Sequence, residues 1–303
     1  MSLIEEYKSS LKTVEAEEVF DLLIYRPLAF LFVKITYSIN LTPNIVSAIA
    51  MLVGVIGGIL FGFGRKDYNA LGAICYFSCN VLDCADGQIA RLKKNGTKVG
   101  RIVDGFIDYI VSITVFVGIG IGMTSLVHSG SLNLIGLKVI SINAMIYVWL
   151  IVILAGVSSA LQAFYFDFYR NKFLEIVHNK FSSLEDELKD FRNELEALEG
   201  KNEKPFDRFL IKIYLMYSSF QLKLQSNKKE SVTNPSSEIY YQKNKLLLRL
   251  WSFIGSTTHI TLCIVCAFLN NFELFLILCI VPLNLLMIIL LTVQKNSDRK
   301  LFS

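Results

Sequence analysis

Long runs of apolar residues, separated by short polar connections, account for most of the chain. Each run is close to the length of helix that crosses a bilayer. The pattern predicts six transmembrane helices, at residues 45–63, 70–92, 99–123, 139–164, 246–269 and 274–293. Glycines in the first run, such as Gly54 and Gly58, would allow neighbouring helices to approach closely. The predicted fold class is therefore an all-α, polytopic membrane protein.

A less hydrophobic segment precedes the first predicted span. In residues 15–40 the apolar side chains share a face with basic residues among them, which predicts an amphipathic helix along the membrane surface, broken at Pro27. A tilted spanning helix is the alternative, although the apolar run is short for a bilayer. Thr42 and Pro43 then predict the start of the first span, as the capping residue and the first helical residue.

The stretch between the fourth and fifth predicted spans has a different pattern. Apolar residues from Leu174 to Leu198 alternate in steps of three and four, which is a heptad seam, and Gly200 would end that helix. Pro205 predicts the start of a second amphipathic helix. We expect a cytoplasmic helical hairpin followed by a polar linker at 226–238. The predicted organisation is an amphipathic region at 1–40, spans one to four at 41–165, the hairpin and linker at 166–245, and the last two spans with the tail at 246–303.

Composition agrees with this membrane class. The mean hydropathy is +0.49, and the chain has 53% hydrophobic residues, including 22 Phe. The net charge of +4 is small, and no basic stripe is interleaved with aromatic residues, which argues against a nucleic-acid binder. The six cysteines lack a paired zinc spacing, so we interpret them as reduced packing residues. The polar, acidic N-terminus predicts no cleavable signal peptide.

Two acidic pairs flank a basic loop in residues 83–108, DCADGQIARLKKNGTKVGRIVDGFID. Asp83 and Asp86 are three residues apart and Asp104 and Asp108 are four apart, so each pair lies on one helix face. Apolar runs on both sides bring these carboxylates to the bilayer edge, where they could not all stay ionised without cations between them. Oxygen ligands favour hard ions, so the segment predicts a site for two divalent ions, Mg²⁺ or Mn²⁺. A solvated acidic loop is the alternative.

The distribution of basic residues predicts the side of the membrane. The loop at 91–101 contains five Lys and Arg residues and the C-terminal tail contains three more, whereas the connections on the opposite side are short and nearly uncharged. The positive-inside rule therefore predicts that the acids lie at the cytoplasmic face of a multi-pass membrane protein.

The acidic segment resembles the signature of the CDP-alcohol phosphotransferases, also called CDP-alcohol phosphatidyltransferases. All eight defining positions match: Asp83, Asp86, Gly87, Ala90, Arg91, Gly100, Asp104 and Asp108. The resemblance implies a membrane enzyme that transfers a substituted phosphate from a CDP-alcohol to a hydroxyl acceptor and releases CMP. It extends over the helical membrane core but not over residues 167–245.

The resemblance also implies residue roles. Asp83, Asp86 and Asp104 would hold the metals, while Asp108 would bridge to one of them and act as the catalytic base that takes the acceptor's proton. The nucleotide would be bound by Asn44, Gly87, Ala90, Arg91 and Gly100. The small residues would let the nucleotide lie against the backbone. Helix capping is the alternative role of Asn44, and membrane anchoring that of Arg91.

A site at the bilayer edge favours CDP-diacylglycerol as the donor, because its acyl chains can stay in the membrane. We favour inositol or inositol phosphate as the acceptor, with glycerol phosphate or serine as alternatives, on the basis of the family's range and not of a motif. Candidate acceptor-binding residues are Arg170, Arg249 and His259, for which interfacial anchoring and polar packing are the alternative roles. The other expected partners are the lipid bilayer and a second copy of the chain in a homodimer.

Two other classes fit parts of the pattern. Asn80, Asp83 and Asp86 resemble the first motif of aspartate-rich membrane prenyltransferases, but those enzymes usually have more spans and a second acidic motif far along the chain. A cation or proton transporter would also contain membrane carboxylates, but these would lie near the bilayer midplane. Here all four acids lie within one short segment next to a basic loop.

Overall fold

The computed structural model of the protein is almost entirely helical, as predicted. It describes residues 3–11, 13–37, 39, 41–94, 98–128, 133–134, 137–138, 142–178, 184–201, 205–226 and 236–301. The first helices are α1 (Leu3–Ser10), a π-helical turn (Asp21–Tyr25), α2 (Arg26–Thr36), α3 (Pro43–Phe61), α4 (Lys66–Leu92) and α5 (Lys98–His128). Two-residue strands, β1 (Asn133–Leu134) and β2 (Leu137–Lys138), then pair antiparallel. The chain continues with α6 (Ile142–His178), α7 (Leu184–Lys201), α8 (Pro205–Ser226), α9 (Ser237–Trp251), α10 (Ser256–Phe268), α11 (Phe272–Ile280) and α12 (Pro282–Leu301).

Several helices have the length and composition of membrane spans. Within the described ranges, four meet this test: Pro43–Phe61, Ile102–Val127, Ala144–Val177 and Phe272–Leu301. The pair Ser237–Ile254 and Ser256–Phe268, bent by 41°, makes a fifth if it is counted as one span. Helix α4 packs against α3 but does not meet the test, because polar side chains interrupt its apolar surface. The structure thus supports an integral membrane protein with four or five apolar helices, and the predicted sixth span stays a prediction.

Close glycine contacts hold α3 against α5. A Cβ atom on Gly58 would lie 2.7 Å from the backbone carbon of Thr114, and one on Gly118 would fall on the carbonyl oxygen of Gly58. Any larger side chain at Gly118 would therefore push the two helices apart. This contact brings the later turns of α3 and α5 close together, and the start of each helix carries residues of the candidate site.

The N-terminal region packs on α4 and leaves an apolar face outside. Ala29 and Val33 are buried in a cluster that includes Ala85 and Ile89 of α4, while the outward face of α2 exposes Leu28, Leu31 and Ile35. The predicted break at Pro27 is absent, because the π-helical turn runs directly into α2 and Pro27 lies near the start of α2. Proline is tolerated there because its missing N–H has no partner to lose in a first turn.

Helices α7 and α8 pack against each other and against the beginning of α5. The rings of Phe191 and Tyr214 lie 4.8 Å apart, and Ile102 of α5 joins a buried cluster with Leu210 and Ile211. Helix α8 begins at Pro205 as predicted, and α7 ends at Lys201, one residue beyond the predicted stop. Most of the predicted polar linker, residues 227–235, lies outside the described residues.

The predicted fifth span is bent at the point where the N-terminal segment contacts it. The carboxylate of Glu18 accepts hydrogen bonds from the backbone N–H of Thr257 (3.0 Å) and the hydroxyl of Ser256 (3.2 Å), which caps α10. Gly255 leaves the space for this carboxylate, since a Cβ atom there would collide with it. Glu18 is only 4% exposed, so it links the N-terminal segment tightly to the bend.

We expect the buried carboxyl of Glu18 to make folding stability depend on pH. Burial, and secondarily the charge of Asp21, raise the pKa of Glu18 from 4.5 to about 8. The folded state therefore keeps a proton that the unfolded state loses above pH 4.5. Protonation of Glu18 therefore stabilises the folded state. This stabilisation is fully present below the unfolded-state pKa and is lost as pH rises through about 8.

Thermal unfolding of the detergent-solubilised protein between about pH 5 and 9 measures this effect. Glu18→Gln can still accept the hydrogen bond from Thr257 but cannot titrate, so we expect its unfolding temperature to decrease less than that of the wild type as pH rises. The matched control is Glu238→Gln on the exposed side of α9. An unchanged pH profile in Glu18→Gln would contradict the expectation.

Candidate active site

Two helix ends build the acidic site. Asp83 and Asp86 lie in the C-terminal half of α4, and Asp104 lies in the second turn of α5. Each offers one carboxylate oxygen, and these oxygens all lie within 4.8 Å of one another. Asp86 is buried, while Asp83 and Asp104 are half-buried. The helix faces inferred from the residue spacing therefore do turn towards each other.

Asp108 lies apart from this group of three. It follows Asp104 by one turn on α5, so the two side chains leave the helix on the same side, but as a residue it is more exposed than any of the three. A group that takes a proton from a substrate must be accessible to that substrate, and Asp108 meets this condition better than the buried Asp86.

The group of three carboxylates fits a divalent cation. Three negative charges this close together, partly withdrawn from water, repel each other strongly unless a positive charge lies between them. The Oδ1 atom of Asp104 is buried and has no hydrogen-bond partner. Such an atom is costly to bury in a folded protein unless an ion or water binds it. Because every donor is an oxygen, the set suits Mg²⁺ or Mn²⁺.

The residues assigned to the nucleotide lie on the same two helix ends and at the start of α3. Asn44 is exposed near the start of α3, where Thr42 provides the cap by accepting from the N–H of Ile45 at 3.4 Å. The side chain of Asn44 is therefore free of the capping role that was its alternative. Ala90 is half-buried near the end of α4, and Gly100 is half-buried at the start of α5.

Arg91 is held partly by the N-terminal segment. Its Nε donates to the carbonyl oxygen of Ser10 at 2.5 Å, while its Nη2 is buried and lacks a hydrogen-bond partner. A Cβ atom on Gly87 would lie 3.2 Å from that Nη2. Gly87 thus leaves room for the guanidinium group, which keeps a donor available beside the acids.

The three candidate acceptor residues each contact other parts of the protein. Arg249 donates to the backbone carbonyls of Glu17 (3.1 Å) and Val14 (3.0 Å). Arg170 forms an ion pair with Asp167 at 2.9 Å. His259 is buried in α10, where its Nδ1 lies 3.9 Å from the sulfur of Cys279. None of the three belongs to the carboxylate group described above.

Sequence patterns did not reveal several polar contacts around the acids. The hydroxyl of Ser47 donates to Oδ2 of Asp86 at 2.5 Å. Gln88 donates to the carbonyl oxygen of Arg26 at 3.0 Å, and Arg26 pairs with Glu17 at 2.9 Å. Among these residues, only Ser47 could have been found from the sequence, because it lies three residues after Asn44 and therefore on the same face of α3.

A comparison with known proteins matches the segment that carries this site. The family model for CDP-alcohol phosphatidyltransferases matches residues 40–176. The matched segment begins just before α3 and ends close to the end of α6, so it contains all four acids and all five residues assigned to the nucleotide. It stops before α7. A search of curated proteins finds no match to the chain.

Proposed function

We propose that this chain, which belongs to the CDP-alcohol phosphatidyltransferase family and is thus a membrane transferase of substituted phosphate groups, transfers the phosphatidyl group of CDP-diacylglycerol to a small polar acceptor. In this reaction the acceptor's hydroxyl oxygen forms a bond to phosphorus and the bond to CMP breaks. The observation that carries the proposal is the group formed by Asp83, Asp86 and Asp104, whose ligand oxygens lie within 4.8 Å of one another inside the matched segment.

Asp83, Asp86 and Asp104 would hold Mg²⁺ or Mn²⁺, two ions in all as the resemblance implies. A bound divalent ion neutralises the charge of a diphosphate and stabilises the leaving group. Asp108, the exposed acid one turn away, would take the proton of the acceptor's hydroxyl. Arg91 would donate to a phosphate oxygen through its unpartnered Nη2.

The place of the acids supports a lipid donor. Asp104 lies two residues into the apolar helix Ile102–Val127, so a diphosphate bound there is at the boundary of the apolar surface. The diacyl chains could then remain in the bilayer during the reaction. We propose that this boundary is the cytoplasmic one, that α4 completes a set of six spans, that α7 and α8 form a cytoplasmic hairpin, and that the enzyme acts as a homodimer.

Inositol or inositol phosphate is the acceptor that we favour. A phosphorylated acceptor requires free cationic side chains, but Arg170 and Arg249 both contact other protein groups. This arrangement favours the uncharged inositol over its phosphate. Glycerol phosphate would need the same free cations, and serine stays an alternative.

Incubation of the purified protein with CDP-diacylglycerol and a panel of hydroxyl acceptors tests the proposal. We expect CMP release that depends on one acceptor, together with a new phospholipid identified by mass spectrometry. Pyrophosphate release from a prenyl diphosphate would instead indicate a prenyltransferase. Ion flux in liposomes without any lipid product would indicate a transporter.

We expect EDTA to stop CMP release, because the three carboxylates cannot bind a diphosphate without a cation between them. Addition of Mg²⁺ or Mn²⁺ in excess of the chelator should restore the reaction, whereas Ca²⁺, which prefers more ligands at longer distances, should restore less. Full activity in EDTA after dialysis would contradict the metal-dependent proposal.

A further inference from the structure

A buried hydroxyl of α3 contacts the acid pair of α4. The Oγ atom of Ser47 lies 2.5 Å from Oδ2 of Asp86 and 3.0 Å from the carbonyl oxygen of Pro43. Ser47 is 8% exposed and Asp86 is 4% exposed, so solvent has little access to this contact. The two residues are 39 positions apart in the sequence and lie on different helices.

A serine inside a helix often bonds only to the carbonyl four residues before it. The contact with Pro43 is of that kind and would need no partner on α4. The contact with Asp86 is different, because it joins a donor on one helix to an acid that belongs to the group of three on another. The bond to Ser47 therefore acts directly on a carboxylate that also lies in the group of three.

We propose that Ser47 is a positioning residue that orients Asp86 for divalent-ion binding. This inference rests on the proposed function, since it concerns the same carboxylate group. The hydrogen bond restricts rotation of the Asp86 side chain and thereby fixes the direction in which its carboxylate faces the other two acids. Hydrogen bonds of this kind to metal-binding carboxylates contribute to metal affinity, and their removal costs about 10- to 100-fold.

The contact also connects the two halves of the site. Asn44, which we assign to the nucleotide, lies three residues before Ser47 and therefore on the same side of α3. The first turns of α3 would thus bind the nucleotide and orient one metal ligand at the same time. A change in the position of α3 would affect both functions together.

The isosteric pair Ser47→Thr and Ser47→Val isolates the hydroxyl group. Threonine keeps the donor and valine replaces it with a methyl group of similar size, so any packing cost of the larger side chain is shared by both variants. We expect Ser47→Val to weaken Mn²⁺ binding about 10-fold or more, and Ser47→Thr to bind within about threefold of the wild type.

Electron paramagnetic resonance titration of Mn²⁺ into purified protein without substrate measures binding independently of turnover. Thermal unfolding in EDTA checks that the two variants fold equally well without metal. In activity assays, the Mn²⁺ concentration for half-maximal rate should rise in Ser47→Val while the rate at saturating Mn²⁺ changes little. These three results together would support the positioning role.

If Ser47→Val and Ser47→Thr bind Mn²⁺ with the same affinity, whether unchanged or reduced, the positioning role of Ser47 is overturned. If those variants behave alike while the wild type binds Mn²⁺ and transfers the phosphatidyl group, only the role of Ser47 fails. If the wild type itself binds no Mn²⁺ and shows no metal-dependent transfer, the proposed function fails and the role of Ser47 fails with it.

Discussion

Replacement of Asp104 by Asn is expected to reduce CMP release by at least about 10²- to 10³-fold, the scale seen when one principal electrostatic stabiliser is removed. The substitution removes one negative charge from the group of three and one ligand oxygen. It also places an amide group where the Oδ1 atom of Asp104 is buried without a hydrogen-bond partner. Binding of Mn²⁺ in the absence of substrate should weaken in parallel, because the remaining pair provides fewer oxygens and less charge.

Asp67→Asn is the matched control for this substitution. Asp67 is an exposed acid in the first turn of α4, outside the group formed by Asp83, Asp86 and Asp104. It removes the same charge from a neighbouring helix without touching the site, so we expect Mn²⁺ binding and CMP release close to those of the wild type. Normal Mn²⁺ affinity in Asp104→Asn would remove this residue from the metal group.

Asp108→Asn is expected to abolish transfer while binding of CDP-diacylglycerol persists. Asparagine has nearly the same shape but cannot take a proton, and the loss of a general base lowers rates by about 10²- to 10⁴-fold. Because Asp108 is exposed and lies outside the group of three, we expect Mn²⁺ affinity to decrease less than in Asp104→Asn. Single-turnover CMP release and a Mn²⁺ titration on the same preparation give both values.

The comparison between these two variants separates two roles of Asp108. The resemblance implies that it both bridges to an ion and acts as the base. An equal loss of Mn²⁺ affinity in Asp104→Asn and Asp108→Asn would make ion binding its main contribution. Turnover like that of the wild type in Asp108→Asn would eliminate the base assignment altogether.

The proximity of Asp83, Asp86 and Asp104 was predictable from sequence because its information is local. Spacings of three and four residues determine which side chains share a helix face, and apolar runs on both sides of the acids restrict their location. The same local rules predicted the start of α8 at Pro205 and the capping of α3 by Thr42, both of which the structure confirms.

Contacts between distant residues were not predictable in this way. Ser47 and Asp86 belong to different helices, and Glu18 reaches Thr257 across 239 positions. Periodicity describes one helix at a time and contains no information about its neighbour. The contact at the bend near Gly255 was missed for the same reason, since its partner is a carboxylate from the N-terminal segment.

Helix lengths were also less certain than helix existence. The fourth predicted span ends at residue 164, but α6 continues to His178. The later turns of α6 contain Leu174 and Val177, which we had assigned to a separate helix of the hairpin. Hydrophobic periodicity does not reveal where one helix ends and the next begins. The polar residues of α4 lower its hydropathy without ending the helix. Hydropathy alone therefore does not decide whether α4, which packs between other helices, is counted as a span.

The central claim is that Asp83, Asp86 and Asp104 hold the divalent ion that binds the donor's diphosphate. Anomalous X-ray diffraction from crystals grown with Mn²⁺ and CDP-diacylglycerol tests it most directly. We predict a strong anomalous peak enclosed by these three carboxylates, with the diphosphate of the nucleotide next to it. A peak at another place in the protein, or a bound nucleotide whose phosphates lie far from these aspartates, would contradict the claim.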